Sequence, residues 1–343
     1  MMSSKLRMAI VGVGLWGINH GKLYNAHPMC ELVAVCDRNQ DAADRAAQLL
    51  GCSEVYYDYK EMMEKCDFDA VAIVTPDFAH ADIAICAANA KKHMIIEKPL
   101  ATTRDDVFRM VEAIERNSVR AMVDLHNRWN PPFNAAWDSI QRGELGEVYS
   151  AYYRMNDAKW VATDMLSWAA QSSILWFLGS HSLDTLRWFF DDEVKRVYSV
   201  SREGVLKGLG VDTVDMYQTT IEFAKGGIAQ MENGWITPNA NPCVNDIKFT
   251  VLGTKGMVTI DASNHNLIQQ YTDDRVTVPD MLVQHSVQGV PKGFAFESIR
   301  TFVDRMIDGK EFPVSIKDAA NTSLALLAVI ESAKKREPVD VVY

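Results

Sequence analysis

A glycine-rich segment near the N-terminus constrains the fold of this chain more than any other feature. Gly12, Gly14 and Gly17 follow an apolar run at residues 7–11 and precede a helix-like stretch at residues 15–26. At this spacing the first glycine permits a tight turn, the second lets a ligand approach the backbone, and the third lets a helix pack closely on a strand. Because helix N-termini attract phosphate groups, the segment predicts a dinucleotide-binding turn between a strand and a helix.

Strand and helix patterns alternate along the first third of the chain. Further apolar runs lie at residues 31–36, 70–74, 93–97 and 120–124. The helical patterns between them lie at residues 41–50, 78–90 and 104–117. Short apolar strands that alternate with helices of this length are typical of βαβ units. We therefore expect an α/β protein whose residues 1–125 form a Rossmann domain with a doubly wound parallel sheet.

The pattern changes after residue 125. Strand-like runs predominate there, at residues 148–155, 194–201, 216–223, 228–235, 246–252 and 257–261. Glycine turns at residues 226–227 and 253–256 join neighbouring runs so tightly that these strands must be antiparallel. Helical patterns lie at residues 132–142, 172–190, 294–308 and 317–335. Residues 126–343 are therefore predicted to form an α+β domain for substrate binding, with an open, mainly antiparallel sheet and last helices able to pack back on the first domain.

Composition argues against several classes of function. With 48% hydrophobic and 23% charged residues, the chain has the balance of a soluble globular protein. A formal charge of −10 is unfavourable for binding nucleic acid. No apolar run is long enough to cross a bilayer and no secretion signal is recognisable, so we expect a cytoplasmic protein without a membrane partner. The six cysteines and eight histidines lack metal-ligand spacing, so we expect free, mostly buried thiols and no metal site.

Asp37, at the end of the second predicted strand, refines the choice of dinucleotide. Its carboxylate can accept hydrogen bonds from ribose hydroxyls and would repel a 2′-phosphate, which favours NAD over NADP. Arg38 beside it keeps NADP open, by stacking on adenine or by pairing with the phosphate. The alternative is a glycine turn with an unrelated surface aspartate. The other loop residues expected to contact the cofactor are Val13, Leu15 and Trp16, although Trp16 can instead pack against the second domain.

Four motifs taken together resemble the Gfo/Idh/MocA family of oxidoreductases, which includes glucose-fructose oxidoreductase and inositol dehydrogenases. They are the glycine segment, Thr75-Pro76-Asp77-x-x-His80, Glu97-Lys98-Pro99 and Gly179-Ser180-His181-x-x-Asp184. The resemblance extends over essentially the whole chain. It implies an NAD(P)-dependent dehydrogenase or reductase that moves a hydride between nicotinamide and a secondary hydroxyl or ketone of a sugar, glycoside or cyclitol. It also implies a homodimer or homotetramer that associates through the exposed face of the antiparallel sheet.

By this resemblance Lys98 and His181 are the catalytic residues. Lys98 would contact the reacting oxygen, and a lysine partly removed from water at the end of an apolar strand gives up its proton more readily. His181 would act as general base or proton relay. Pro99 would fix the turn, and a cis peptide bond is one way to do so. The alternatives are a surface lysine and a histidine that merely packs within its helix.

The resemblance and the strand ends add further candidates for cofactor binding. Thr75 and Pro76 end a strand at the carboxyl edge of the sheet, where ligands bind in open α/β folds. His80 would lie near the nicotinamide ribose or serve as a structural histidine. The remaining candidates are Glu97, Lys98 itself, and Arg128, which would contact either the cofactor amide or the substrate.

The chain departs from the family at Phe177, where many members have an aspartate one helical turn before the histidine. Three interpretations are open. Lys98 and His181 suffice, another carboxylate replaces the aspartate, or simple dehydrogenation is lost. The candidate replacements are Asp157, Asp164 and Asp184. We favour the first two interpretations jointly, because Lys98 and His181 are both retained.

Residues 156–176 are rich in tryptophan and are expected to contact substrate. Indole faces suit the apolar face of a sugar ring, and neighbouring polar groups can bind its hydroxyls. Packing between domains or subunits explains these tryptophans as well. The candidates for substrate binding are Lys98, Asn156, Asp157, Trp160, Asp164, Trp168 and His181.

Two other functions are compatible with the same motifs. In the first, transient oxidation by NAD activates a neighbouring C–H bond for elimination or epimerisation, and the cofactor is regenerated in each cycle. In the second, the chain is a non-catalytic dinucleotide-binding regulator. Retention of Lys98 and His181 favours the dehydrogenase over the regulator.

Overall fold

The computed structural model describes residues 5–263 and 267–343, which form two compact units. The first unit contains the described residues up to Leu125 together with Gln284–Ala320, and the second contains His126–Val283 and Asn321–Tyr343. Residues 284–320 cluster with the first unit because a helix at Phe294–Asp308 packs on the first strand and the first helix. The stretch expected as one C-terminal domain, residues 126–343, is thus interrupted.

The first unit is built on a six-stranded sheet in the order β3-β2-β1-β4-β5-β6, in which every pair is parallel. Its strands are β1 (Leu6–Val11), β2 (Cys30–Cys36), β3 (Glu54–Tyr56), β4 (Ala70–Ile73), β5 (His93–Ile96) and β6 (Ala121–Val123). The helices are α1 (Leu15–Ala26), α2 (Gln40–Leu50), α3 (Tyr59–Lys65), α4 (His80–Asn89) and α5 (Arg104–Asn117). The predicted doubly wound parallel sheet is confirmed.

The topology of this sheet fixes where a ligand can bind. The strand order reverses between β1 and β4, and ligands of open α/β sheets bind at the carboxyl ends of the strands on either side of such a point. Val11, at the end of β1, pairs with Cys36 of β2 and Ile73 of β4. The segments that follow β1, β2, β4 and β5 therefore share one edge of the sheet.

The second unit contains a seven-stranded sheet in the order β12-β11-β7-β10-β9-β8-β17. Its strands are β7 (Val148–Ala158), β8 (Val194–Arg202), β9 (Met216–Phe223), β10 (Ile228–Thr237), β11 (Asn245–Gly253), β12 (Met257–Asp261) and β17 (Val339–Asp340). All pairs are antiparallel except β7 with β10, which run parallel. The predicted α+β sheet is confirmed as mainly antiparallel, and the parallel pair in its centre was not predicted.

One face of the second sheet is buried and the other is exposed. The helices α6 (Pro131–Gln141) and α7 (Ser180–Phe190) contact the buried face, whose core includes Phe133, Tyr153 and Phe249. The exposed face carries apolar side chains as well, among them Tyr152, Tyr198, Ile228 and Leu252. Antiparallel sheets commonly leave one face open in this way.

The remaining elements are short or lie at the end of the chain. They are α8 (Val205–Gly208), the paired strands β13 (Gln270–Tyr271) and β14 (Val276–Thr277), the hairpin of β15 (His285–Val287) and β16 (Val290–Lys292), α9 (Phe294–Asp308) and α10 (Ile316–Lys335). Among the described residues, none of the helices combines the length and the apolar character needed to span a membrane.

The helix predicted at residues 172–190 is altered at its start. A π-helical turn, Leu175–Gly179, leads into α7, so the regular α-helix begins only at Ser180. A π-turn bonds each residue to the fifth one along and not to the fourth, and such turns are frequent at functional sites. Phe177 lies inside this turn, and His181 is the second residue after its end. The side chains at these two positions therefore do not stack on one face as they would in a regular α-helix.

All six cysteines are free thiols, as expected. Burial raises the pKa of Cys30, Cys36 and Cys66 to about 12 in each case. Thiols with such a raised pKa are protonated at neutral pH and are poor nucleophiles.

We expect a short pulse of iodoacetamide at neutral pH to label the half-buried Cys86 and Cys243 before the four buried thiols. Peptide mass spectrometry would measure this order, and labelling in denaturant, where all six thiols react, is the control. Rapid native labelling of Cys30 or Cys36 would contradict the burial described here.

Candidate functional site

The turn between β1 and α1 has the geometry of a pyrophosphate site. Gly12 has a φ of 93°, and a Cβ there would lie 2.4 Å from the carbonyl oxygen of Val74. A Cβ on Gly17 would lie 2.0 Å from the carbonyl oxygen of Gly12. Both positions therefore require glycine. These contacts bring the start of α1 up to the carboxyl end of β1.

Gly14 has the opposite environment. It is the exposed N-cap of α1, no side chain caps the helix there, and a Cβ built on it would meet no described atom within 4 Å. The first-turn N–H groups of a helix have no partners within the helix and carry a partial positive charge. Open space in front of these groups fits a phosphate ligand, as the predicted dinucleotide turn requires.

Asp37 is fixed towards this turn. Its Oδ2 accepts a hydrogen bond of 3.0 Å from the N–H of Val13, and its Oδ1 accepts one of 2.9 Å from the N–H of Asn39. A carboxylate has about four acceptor positions, so two such bonds leave capacity for ribose hydroxyls. Arg38 is exposed beside it, and Leu15 exposes about two thirds of its surface at the start of α1. These residues fit the adenosine half of a dinucleotide.

Lys98 stands in a turn that is fastened from two sides. The Lys98–Pro99 peptide bond is cis, which confirms that expectation. On one side the buried ring of His80 lies between two backbone carbonyl oxygens. Its Nδ1 is 2.8 Å from the carbonyl oxygen of Pro99, and its Nε2 is 3.0 Å from that of Thr75. Both ring nitrogens of His80 are thus engaged by the backbone. Of its two expected roles, the geometry supports the structural one.

On the other side Glu97 anchors the same turn from within the first unit. Its Oε1 lies 3.2 Å from Nε2 of His20, whose Nδ1 lies 3.0 Å from the hydroxyl of Tyr24. Burial raises the pKa of Tyr24, so its hydroxyl stays protonated. The carboxylate of Glu97 is only 5% exposed and is directed at His20, so its expected contact with the cofactor is not supported by this geometry.

His20, Glu97 and Asp124 form a group in which one ligand atom from each lies within 4.8 Å of the others. Within residues 5–263 and 267–343 it is the one group of this kind that could hold a metal ion. Each member already has a hydrogen-bond partner, since Asp124 accepts from the hydroxyl of Ser298. We therefore interpret the group as a hydrogen-bonded network that stabilises the Lys98 turn.

In the second unit His181 is buried on α7 beside a histidine that the sequence analysis missed. The ring centroids of His126 and His181 lie 4.4 Å apart at an angle of 45°, and both rings are less than a tenth exposed. His126 opens a 3₁₀ turn, His126–Trp129, that follows β6. A histidine directly after a parallel strand is the sequence feature that could have drawn attention to it.

The same 3₁₀ turn is fastened to α7 by polar contacts. Arg128 grips the fully buried Asp184 with two hydrogen bonds, Nε to Oδ2 at 2.9 Å and Nη2 to Oδ1 at 2.7 Å. Asn127 donates to the Tyr153 hydroxyl at 2.8 Å. The guanidinium of Arg128 thus binds the helix that carries His181. This geometry does not support its expected contact with cofactor or substrate. Asp184 is likewise held as an ion-pair partner.

The side chain of Phe177 fills the position at which many family members have an aspartate. Its ring packs 5.8 Å from Trp235 and 6.4 Å from Trp168, measured between centroids. Of the other candidate replacements, Asp157 is buried and accepts a hydrogen bond from Asn245, whereas Asp164 is exposed and accepts one from Thr163. An aromatic wall has replaced a carboxylate. Of the candidate replacements, Asp157 and Asp184 are buried, and Asp184 is paired with Arg128.

The other substrate candidates lie around this wall. Asn156 donates at 2.8 Å to Glu232 on the neighbouring strand β10, and Trp160 lies half-buried just beyond the end of β7. Trp176, by contrast, is part of the hydrophobic core. The structure thus groups Asn156, Asp157, Trp160 and Trp168 in the second unit, near the carboxyl ends of the parallel strands β7 and β10.

Comparison with known proteins identifies the family. Residues 6–125 match the oxidoreductase family with NAD-binding Rossmann fold, and residues 133–259 match the GFO/IDH/MocA C-terminal domain. The inositol 2-dehydrogenase of Salmonella typhimurium is 31% identical over 265 residues, which cover 74% of each chain. The chain belongs to the Gfo/Idh/MocA oxidoreductase family.

Other members of the family match over nearly the full length. The levoglucosan dehydrogenase of Pseudarthrobacter phenanthrenivorans is 27% identical over 98% of both chains. A structure of levoglucosan dehydrogenase in complex with NADH has 25% identity and a TM-score of 0.83, and covers 99% of this chain and 100% of that one. A structure of scyllo-inositol dehydrogenase from Lactobacillus casei, with NAD(H) and scyllo-inositol, has 20% identity, a TM-score of 0.83 and coverage of 98% and 99%. The predicted family and cofactor, NAD, are confirmed.

The glycine turn offers a matched pair of substitutions. Gly17→Ala places a methyl group against the backbone of Gly12 and should lower the free energy of unfolding by about 3 kcal/mol. Gly14→Ala should lower it by at most about 1 kcal/mol, because alanine is a poorer N-cap residue than glycine. It should nevertheless weaken NAD binding, because its methyl group lies where phosphates approach.

Urea unfolding and NADH fluorescence titration would measure the two effects separately. A stable Gly17→Ala variant, or a Gly14→Ala variant with normal affinity for NADH, would contradict the geometry of this turn.

Proposed function

We propose that this protein is an NAD-dependent dehydrogenase that oxidises a secondary hydroxyl of a sugar, glycoside or cyclitol, or reduces the corresponding ketone. The observation that carries the proposal is the position of Lys98. It follows β5 on the edge of the sheet that also carries the glycine turn and Asp37, in a turn fastened by His80 and Glu97. An ammonium group held there is suited to bind the oxygen of a substrate whose carbon reacts with nicotinamide.

NAD, when bound, would accept the hydride from the substrate carbon or return it. The chain itself would supply the acid–base chemistry. We propose that Lys98 binds the reacting oxygen and that His181 takes up the hydroxyl proton in the oxidative direction. The imidazole of His181 is buried and packed on His126, which fixes its orientation and excludes water. Asp157 is the carboxylate that we propose in place of the family aspartate at the position of Phe177.

The relatives support this substrate class. Inositol and levoglucosan dehydrogenases, which match over most of the chain, are named for a cyclitol and an anhydrosugar. The aromatic wall of Phe177, Trp168 and Trp235 fits the same chemistry, because aromatic faces pack well on the C–H faces of such rings.

The dehydrogenase proposal is tested by NADH absorbance with a panel of sugars, glycosides and inositols. With an active substrate, Lys98→Ala should lower kcat by a factor of about 10² to 10⁴ and leave NADH affinity nearly unchanged. Lys65→Ala, on the exposed surface of α3, is the matched control and should behave as the unmodified protein.

The possible results separate the candidate functions. Product formation without net NADH would favour elimination or epimerisation by transient oxidation. NADH binding without turnover of any substrate would favour a regulator. Unchanged turnover in Lys98→Ala would remove this residue from the mechanism.

We further propose that the exposed face of the second sheet forms a subunit interface. Ser150 of β7 pairs with Ile228 of β10 on one side and with Leu252 of β11 on the other. Tyr152 lies two residues after Ser150 on β7 and therefore on the same face of the sheet. Adjacent pairs of this kind project from the same face, so their apolar side chains form one exposed patch. A second copy of the chain, in a homodimer or homotetramer, would cover it.

Ile228→Lys should weaken association, because it places a charge in the centre of this patch. Size-exclusion chromatography with light scattering would show a shift towards monomer. Val205→Lys, at an exposed position of α8 outside the strands, is the control for an added surface charge. An unmodified protein that is monomeric at every concentration would refute the interface.

A further inference from the structure

A cleft in the second unit is lined by aromatic and polar residues. The cleft, of about 920 Å³, opens beyond the ends of β7 and β10. Two aromatic side chains, Trp160 and Tyr271, line it together with the polar residues Asn239, Asn241, Gln269 and Arg275. Aromatic surface with a few convergent polar groups is the composition by which proteins bind sugar rings.

The polar groups of the cleft are arranged by hydrogen bonds of their own. The carbonyl oxygen of the Asn239 side chain accepts from the backbone N–H of Trp160 at 2.9 Å, which leaves the amide nitrogen of Asn239 as a donor. Asn241 donates its amide nitrogen to the carbonyl of Cys243 at 2.8 Å, which leaves its side-chain oxygen as an acceptor. Gln269 accepts from the Tyr271 hydroxyl, so its amide nitrogen is a further donor. Donors and acceptors together match hydroxyl groups, each of which is both.

The charges around the cleft favour a neutral ligand. Arg275 is the one charged residue among those that line it, and Asp273 and Asp274 directly precede it in the chain. These two carboxylates and the overall charge of −10 oppose the binding of a phosphate or a sugar acid. Arg275 can instead bind neighbouring hydroxyls through its several N–H groups.

The distance from His181 decides which part of a substrate the cleft would hold. Asn233 of β10 donates to the carbonyl of Met155 at 2.9 Å and to the hydroxyl of Ser182 at 3.0 Å. The strands therefore pass the start of α7, next to His181 in the chain, at this level. From Met155 to Ala158, at the end of β7, the strand rises about 10 Å. A ring that reacts beside His181 would not reach the cleft, but a second ring joined to it would.

We propose that this cleft is an outer subsite that binds the second ring of a neutral glycoside, with Trp160 stacking on that ring. The proposal rests on the proposed dehydrogenase function and makes it more specific. The substrate would be a disaccharide or an extended glycoside, and not a free monosaccharide or an inositol.

The test compares kcat/KM for paired substrates, each monosaccharide with its methyl glycoside and with its disaccharides. The subsite predicts that kcat/KM for a disaccharide is about tenfold higher than kcat/KM for its monosaccharide. This ratio corresponds to roughly 1.4 kcal/mol of binding to the second ring. Trp160→Ala should lower this ratio to about one, and Trp160→Phe should retain most of the preference for the disaccharide. Tyr271→Ala tests the same cleft at a side chain that is 70% exposed, where loss of the fold is not expected. Phe108→Ala, an exposed aromatic residue on α5, is the control and should leave the ratio unchanged.

Calorimetric titration of the unmodified protein and the Trp160 variants with the same sugars gives a readout independent of turnover. Disaccharide binding that depends on Trp160, without oxidation of any sugar, would retain the subsite and refute the dehydrogenase. Oxidation with equal kcat/KM for monosaccharides and disaccharides, or equal losses on both in Trp160→Ala, would retain the dehydrogenase and overturn the subsite.

Discussion

The close packing of α1 on β1 is the contact on which much of the first unit depends. The Cα of Gly17 lies so near the carbonyl of Gly12 that no side chain fits between them. This contact places the N-terminus of α1 at the sheet edge, where its N–H groups can meet phosphates. The same helix carries His20, one turn further on, against Glu97. One helix therefore positions both the dinucleotide turn and, through Glu97, the turn of Lys98.

Burial gives the polar groups around Lys98 and His181 their rigidity. The contacts of Glu97 with His20 and of Arg128 with Asp184 lie almost entirely out of water. Removing one partner of the buried Arg128–Asp184 ion pair would leave the other charge uncompensated, at a cost of about 3–5 kcal/mol. Buried contacts of this kind keep the surrounding backbone in a single geometry. A fixed geometry suits the proposed roles of Lys98 and His181, which require a defined orientation towards substrate. The charged side chains Glu97, Arg128 and Asp184 thus act through the residues they position.

Much of the fold could be predicted from the sequence, because its causes are local. The apolar runs that became β1, β2, β4 and β5 alternate with helical stretches, and this alternation specifies a parallel sheet. The three partly buried residues of β3 carry no periodic pattern, so that strand was missed. The parallel pairing of β7 with β10 was also missed, because the two strands are far apart in the chain and pair through backbone atoms common to all residues.

The sequence by itself determined the dinucleotide turn and the family, and it provided Lys98 and His181 as candidates for the reacting centre. Glycine spacing and motif order suffice for these, since the steric need for glycine at positions 12 and 17 can be recognised from their spacing. Only the tertiary structure decided what the polar side chains contact. Glu97, His80 and Arg128 were all candidates for cofactor contact, but their side chains are directed at His20, at backbone carbonyls and at Asp184. The direction of a side chain depends on neighbours that are distant in the chain, and for that reason a motif can place Lys98 at the sheet edge without revealing what holds it there.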